Sequence, residues 1–83
     1  MRVYIEVGTP GNGKTYEFKL DSGMTVRQAK LRMIEEITEV ENGNITLNPA
    51  KVILNSLNMS KRLSDTDTLA AAGIKSGQAL LLI

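Results

Sequence analysis

The chain has 83 residues, of which 10 are basic and 9 acidic, so a net charge of +1 gives no bias toward nucleic acid or anionic lipid. It contains neither Cys nor His, which removes disulfides, thiol nucleophiles, thiolate metal sites and the commonest general base and transition-metal ligand. A chain of this size makes one domain over residues 1–83 and buries only about 60–65% of its unfolded surface, so nearly every strongly apolar position is needed in the core. Neither an apolar leader nor a bilayer-length apolar run is present, and the expectation is a small cytoplasmic domain without membrane insertion.

Arg2 to Val7 alternates strictly, with Val3, Ile5 and Val7 on one face and Arg2, Tyr4 and Glu6 on the other, the period of a half-buried strand. Thr15 to Leu20 alternates again, and the Gly-rich segment Gly8–Lys14 between them predicts a hairpin turn. Thr25 then caps a helix whose apolar stripe is Val26, Ala29, Met33, Ile37 and Val40; Gln28 completes a capping box and Asn42-Gly43 supplies the stop. Asn44–Lys51 is a long connection from which Pro49 excludes a central strand, with Ile45 and Leu47 as anchors. Val52-Ile53-Leu54 reads as the third strand, Asn55–Lys61 as a turn with Leu57 and Met59 as anchors, and Leu63 as the start of another short extended piece. Thr68 caps one helical turn, Leu69–Ala72, which Gly73 stops. Gln78–Ile83 is a last strand with apolar residues on both faces, hence central in its sheet, with Leu81 and Ile83 partly exposed on the side the helix leaves uncovered.

The expected core is Val3, Ile5, Val7, Phe18, Leu20, Val26, Ala29, Met33, Ile37, Leu63, Leu69, Ile74, Leu80 and Leu82. The fold expected is α+β: a mixed sheet of four to five strands covered by one main helix plus a short helical turn. That is the β-grasp order, and the residues resemble ubiquitin. Leu63-Ser64-Asp65-Thr66-Asp67-Thr68-Leu69, Ala72-Gly73-Ile74-Lys75-Ser76-Gly77 and Leu80 with Leu82 are similar to ubiquitin's segment from its fourth strand to its end. Val26, Ala29, Lys30 and Met33 match its helix, and the resemblance implies a buried pair between Lys30 and Asp65.

Conjugated and sulfur-carrying relatives of ubiquitin end in a flexible Gly-Gly tail, whereas the sequence stops at Ile83, inside the last strand. The reading is therefore a non-catalytic protein–protein interaction module. The alternative is a ubiquitin-like modifier or generic adaptor whose Gly-Gly tail lies outside this sequence; a designed ubiquitin-like scaffold is a third option. Small bacterial β-grasp proteins that end this way look like the YukD/EsaB type, cytosolic accessories of type VII (WXG100) secretion in Gram-positive bacteria. That resemblance implies protein partners, among them components of the secretion apparatus, and a monomer or weak homo-dimer. Ubiquitin's partner patch implies apolar residues on adjoining strands and the hairpin tip; the candidates are Ile53, Leu81 and Ile83, with Thr9 and Pro10 at the tip. Leu31 and Ile34 widen the helix's apolar arc, either packing beneath the 41–51 connection or leaving a strip for a partner.

Gly8-Thr9-Pro10-Gly11-Asn12-Gly13-Lys14-Thr15 satisfies the G-x-x-x-x-G-K-[ST] pattern of a phosphate-binding loop. Such a loop must open a helix whose N-terminus faces the anion. Here the following residues alternate as a strand, so the segment is read as a hairpin turn and nucleotide binding is kept only as the weaker alternative. Glu35, Glu36, Glu39 and Glu41 read as a solvated helix face, and Asp65 and Asp67 as capping and ion-pairing residues. Arg27, Lys30, Arg32, Lys61 and Arg62 lack the interleaved aromatics of a nucleic-acid surface. No catalytic, cofactor-binding or metal-binding residue is expected.

Overall fold

A computed structural model describes residues 1–83. Its elements are β1 (Arg2–Thr9), β2 (Lys14–Asp21), α1 (Val26–Val40), β3 (Leu54–Ser56), β4 (Lys61–Arg62) and β5 (Ala79–Leu82). They form one mixed five-stranded sheet in the order β2-β1-β5-β3-β4. The β1–β5 pair is parallel, and β1–β2, β3–β4 and β3–β5 are antiparallel. This is the β-grasp arrangement, with the doubly apolar last strand at its centre.

The helix forms where its caps and its stripe agree. Thr25 accepts from the Gln28 amide at 3.1 Å, while the Gln28 side chain accepts from the Thr25 amide at 3.0 Å. The next two orphan amides, of Val26 and Arg27, donate to the carbonyls of Asp67 and Asp65 at 2.8 and 3.2 Å, which ties the start of α1 to the loop before the helical turn. At the far end Asn42 and Gly43 both take positive φ, 54° and 75°, and stop the helix. The later turn closes as expected: Thr68 accepts from Ala71 through its hydroxyl and from Ala72 through its carbonyl, and Gly73 leaves at φ 81°.

Every residue named for the core is buried, and Ile34, Val52, Leu54 and Ala72 join them. Ile45, Leu47 and Met59 pack against this cluster as anchors. Lys30 is the charged member of the interior: its ammonium lies 2.8 Å from the Asp65 carboxylate and donates to the Val52 carbonyl at 3.1 Å, the pair that the resemblance implies.

Several expectations change, among them the fourth strand, which is Lys61–Arg62 and ends before Leu63 rather than starting there. Val40, placed on the apolar stripe, is 65% exposed as the last residue of α1. Leu57 is exposed rather than an anchor, and Thr9 is buried rather than displayed at the tip. The third strand is Leu54–Ser56 rather than Val52–Leu54. Ile53 still exchanges both backbone hydrogen bonds with Ile83, at 2.7 and 3.0 Å, so the ladder begins where expected and runs further into the presumed turn.

Candidate functional site

The registers place one row of outward residues across all five strands. Arg62 on β4 pairs with Asn55 on β3, Asn55 with Leu81 on β5, Leu81 with Gly8 on β1, and Gly8 with Thr15 on β2. On one side of this row stand Ile53 and Ile83, which face each other across their shared hydrogen bonds. On the other side the Leu57 amide donates to the Ala79 carbonyl at 3.1 Å, and Ala79 pairs with Glu6. Because side chains alternate along a strand, Ile53, Asn55 and Leu57 share a face, as do Ala79, Leu81 and Ile83. The result is an apolar patch on the side of the sheet away from α1, with Asn55 inside it and Arg62 and Glu6 at its rim.

Gly8 explains how Leu81 is seated. A Cβ at that position would stand 3.2 Å from Leu81 Cδ2, so the missing side chain lets Leu81 lie down over β1. Leu81 and Ile53 are half-buried by this packing, while Ile83 is 58% exposed and Leu57 50%. An outward β-face in contact with water normally carries polar residues, whereas this one carries four large apolar side chains, Ile53, Leu57, Leu81 and Ile83.

The structure therefore gathers three of the five sequence-derived candidates, Ile53, Leu81 and Ile83; Pro10 follows two residues after Gly8, the partner of Leu81, while Leu31 lies elsewhere. Pro10 is exposed in the β1–β2 turn. Leu31 is 46% exposed in a groove between α1 and the connection bearing Pro49 and Ala50, on the helical side of the molecule. Its neighbour Ile34 is buried, so the apolar strip on the helix reduces to Leu31 alone. Sequence reading missed Leu57 and Ala79. The period-2 run Ile53-Asn55-Leu57 held the signal for Leu57, hidden because residues 55–61 read as a turn.

The Gly8–Thr15 segment has the geometry of a turn. The amides of Asn12 and Gly13 both donate to the Thr9 carbonyl, at 3.1 and 3.0 Å, and the Lys14 amide donates to Asn12 Oδ1 at 3.1 Å. Thr9 and Asn12 also join through their side chains. The amides of Asn12, Gly13 and Lys14 are thus engaged within the loop, and β2 follows where a helix would be required. Lys14 Nζ meets Glu41 Oε1 at 2.6 Å and Oε2 at 3.0 Å, and the Tyr16 hydroxyl donates to Glu41 Oε2 at 2.8 Å. Glu41 is therefore not part of a solvated face but clamps the end of α1 to the hairpin. The hydrogen bond from Lys14, then that from Tyr16, hold the Glu41 carboxyl below its ordinary range, and the same hydrogen bond to Glu41 raises Lys14.

No protein-family model matches the chain, and no curated protein matches it in sequence. Solved structures do match in fold. The chain is similar to the UBL domain of Plasmodium falciparum Dsk2 with a TM-score of 0.78 at 18% identity, covering 99% of this chain and 96% of that one. It is similar to Caldiarchaeum subterraneum ubiquitin with a TM-score of 0.73 at 21% identity, covering 100% and 92%. The ubiquitin-like domain of an Arabidopsis thaliana protein gives a TM-score of 0.72 at 20% identity, covering 99% and 76%. The fold is ubiquitin-like.

Proposed function

We propose that this chain is a non-catalytic ubiquitin-like interaction module that docks a protein partner on the outward face of its sheet, with Leu81 at the centre and Ile53, Ile83 and Leu57 around it. One observation carries the reading: the central strand sends Leu81 and Ile83 out of a sheet whose only helix covers the other side. Burying such a patch draws mainly on apolar area, with Arg62, Asn55 and Glu6 setting orientation at the rim. Replacing Leu81 with Glu tests it. The expected result is a partner, captured from the host by the unaltered protein, that no longer binds, while stability falls by less than about 2 kcal/mol. A larger loss of stability assigns Leu81 to the core and ends this reading.

The more specific role, an accessory of a type VII secretion apparatus in the cytoplasm, is supported by the resemblance to the YukD/EsaB type. Its test is direct binding to WXG100 proteins and the secretion ATPase of the same organism; a chain that binds neither has another partner. The nucleotide alternative is tested by adding Mg²⁺-ATP to the ¹⁵N-labelled protein. Shifts at Gly11, Gly13, Lys14 and Thr15 would establish it against the turn geometry.

A further inference from the structure

The two edges of the sheet differ. β4 is two residues long, whereas β2 is an eight-residue edge strand, Lys14–Asp21, without proline or bulge. A long regular edge offers its backbone to another strand. The alternation of hydrogen bonds shows which groups it offers. On β1 the Glu6 amide and the Tyr4 carbonyl are bonded toward β5, to Gln78 and Gly77. The odd-numbered β1 residues therefore face β2, and in the β1–β2 register they bond Leu20, Phe18 and Tyr16. Thr15, Glu17 and Lys19 consequently point their N–H and C=O groups at the free edge.

One cross-strand pair on that edge is mismatched within the chain. Glu17 stands opposite Glu6 on β1, a like-charge cross-strand pair, whereas Lys19 stands opposite Tyr4 with its ammonium 5.8 Å from the ring centroid, a cation–π contact. Neither Glu17 nor Lys19 belongs to an ion pair. We propose that the β2 edge pairs antiparallel with β2 of a second copy about a two-fold axis through Phe18, joining the two sheets into one.

The register follows from parity and charge. Inward residues must stay inward, so the axis passes through a residue rather than between two. An axis through Glu17 sets Glu17 against itself, and an axis through Lys19 sets Lys19 against itself. An axis through Phe18 sets each Glu17 against Lys19 of the second copy. Both residues of each pair present their free backbone groups, so both pairs exchange their N–H···O=C bonds. The outward row then reads Glu6, Glu17, Lys19 of the second copy, Tyr4 of the second copy, which places a cation beside the repelling carboxylates. On the inward side Phe18 meets its own copy and Tyr16 meets Leu20. This surface is separate from the Leu81 patch and does not depend on its having a partner.

Analytical ultracentrifugation of four proteins across a wide concentration range tests the pairing: the unaltered chain, E17K, K19E and the double variant E17K/K19E. Both positions are exposed, so all four are expected to fold. Each single reversal turns two attractive pairs into repulsive ones and should weaken dimerisation about tenfold, and the double reversal should restore it. Hydrogen exchange should slow with concentration at the amides of Thr15, Glu17 and Lys19, but not at Tyr16 and Phe18. A mass of 9.1 kDa at every concentration overturns the proposal. So does a dimer indifferent to the charge reversals, or one whose exchange protection lies on the Leu81 face.

Discussion

The two faces of β5 carry almost the same chemistry and meet opposite fates. Leu80 and Leu82 are 0% and 2% exposed beneath α1, whereas Leu81 is half-covered by its seat over Gly8 and Ile83 is 58% exposed. Four consecutive large aliphatic residues thus split by parity alone into core and surface. Hydrophobicity at a position says that burial would be favourable; the layer that lies over it decides whether burial occurs within the chain or against another molecule.

The largest effect that would sharpen this contrast is Leu80→Ala, which should cost about 2–5 kcal/mol in denaturant unfolding. The same change at Leu81 should cost less than about 1.5 kcal/mol, since much of that side chain is not enclosed. Comparable losses at both sites would erase the distinction between the faces. Lys30→Met probes the charged residue on the inward side. It removes an ammonium from Asp65 and from the Val52 carbonyl, and a loss of about 1–3 kcal/mol is expected because the carbonyl is left without that donor. On the outward side, Gly8→Ala should shift the Leu81 methyl resonances with a change in stability within about 1 kcal/mol, because a flexible side-chain end stands against the new methyl. Leu81 methyls that do not move would show that Gly8 does not seat them.

The smallest effect expected concerns the Lys14–Glu41 clamp at the helix end. Glu41 is lowered from an ordinary value of 4.5, so its contribution is fully present above that pH and is lost as pH falls through the lowered value. Lys14 is raised from 10.5, so its contribution is fully present below that pH and is lost as pH rises through the raised value. The melting-temperature difference between the unaltered chain and Glu41→Gln should therefore be flat between these limits and shrink in acid. A difference that persists unchanged at low pH would place the effect of Glu41 in packing rather than charge.

Much of this was legible in the residues themselves. Period-2 alternation over 2–7 and 15–20, the Thr25–Gln28 capping box and the stop at Asn42-Gly43 are local devices, and local devices are written in neighbouring residues. The same holds for the failure of the Gly8–Thr15 motif, since Tyr16, Phe18 and Leu20 already announce a strand. The central place of the last strand also followed from its two apolar faces. Pairing across long separations was harder to see. Leu57 could be assigned to the patch only once the ladder between residues 53–57 and 79–83 was in place, and Thr9 could be moved inward only once it was known to continue the row of Val3, Ile5 and Val7.

By itself, then, the sequence determined the elements, their caps and the residues that must leave water, because these depend on spacing and on contacts within a few positions. Only the tertiary structure decided that Leu31 lies apart from Ile53, Leu81 and Ile83, that Lys14 is held by Glu41, and that β2 ends as an open edge. Those facts depend on which strand becomes whose neighbour. Registry between distant segments is a property of the whole packed chain rather than of any stretch within it.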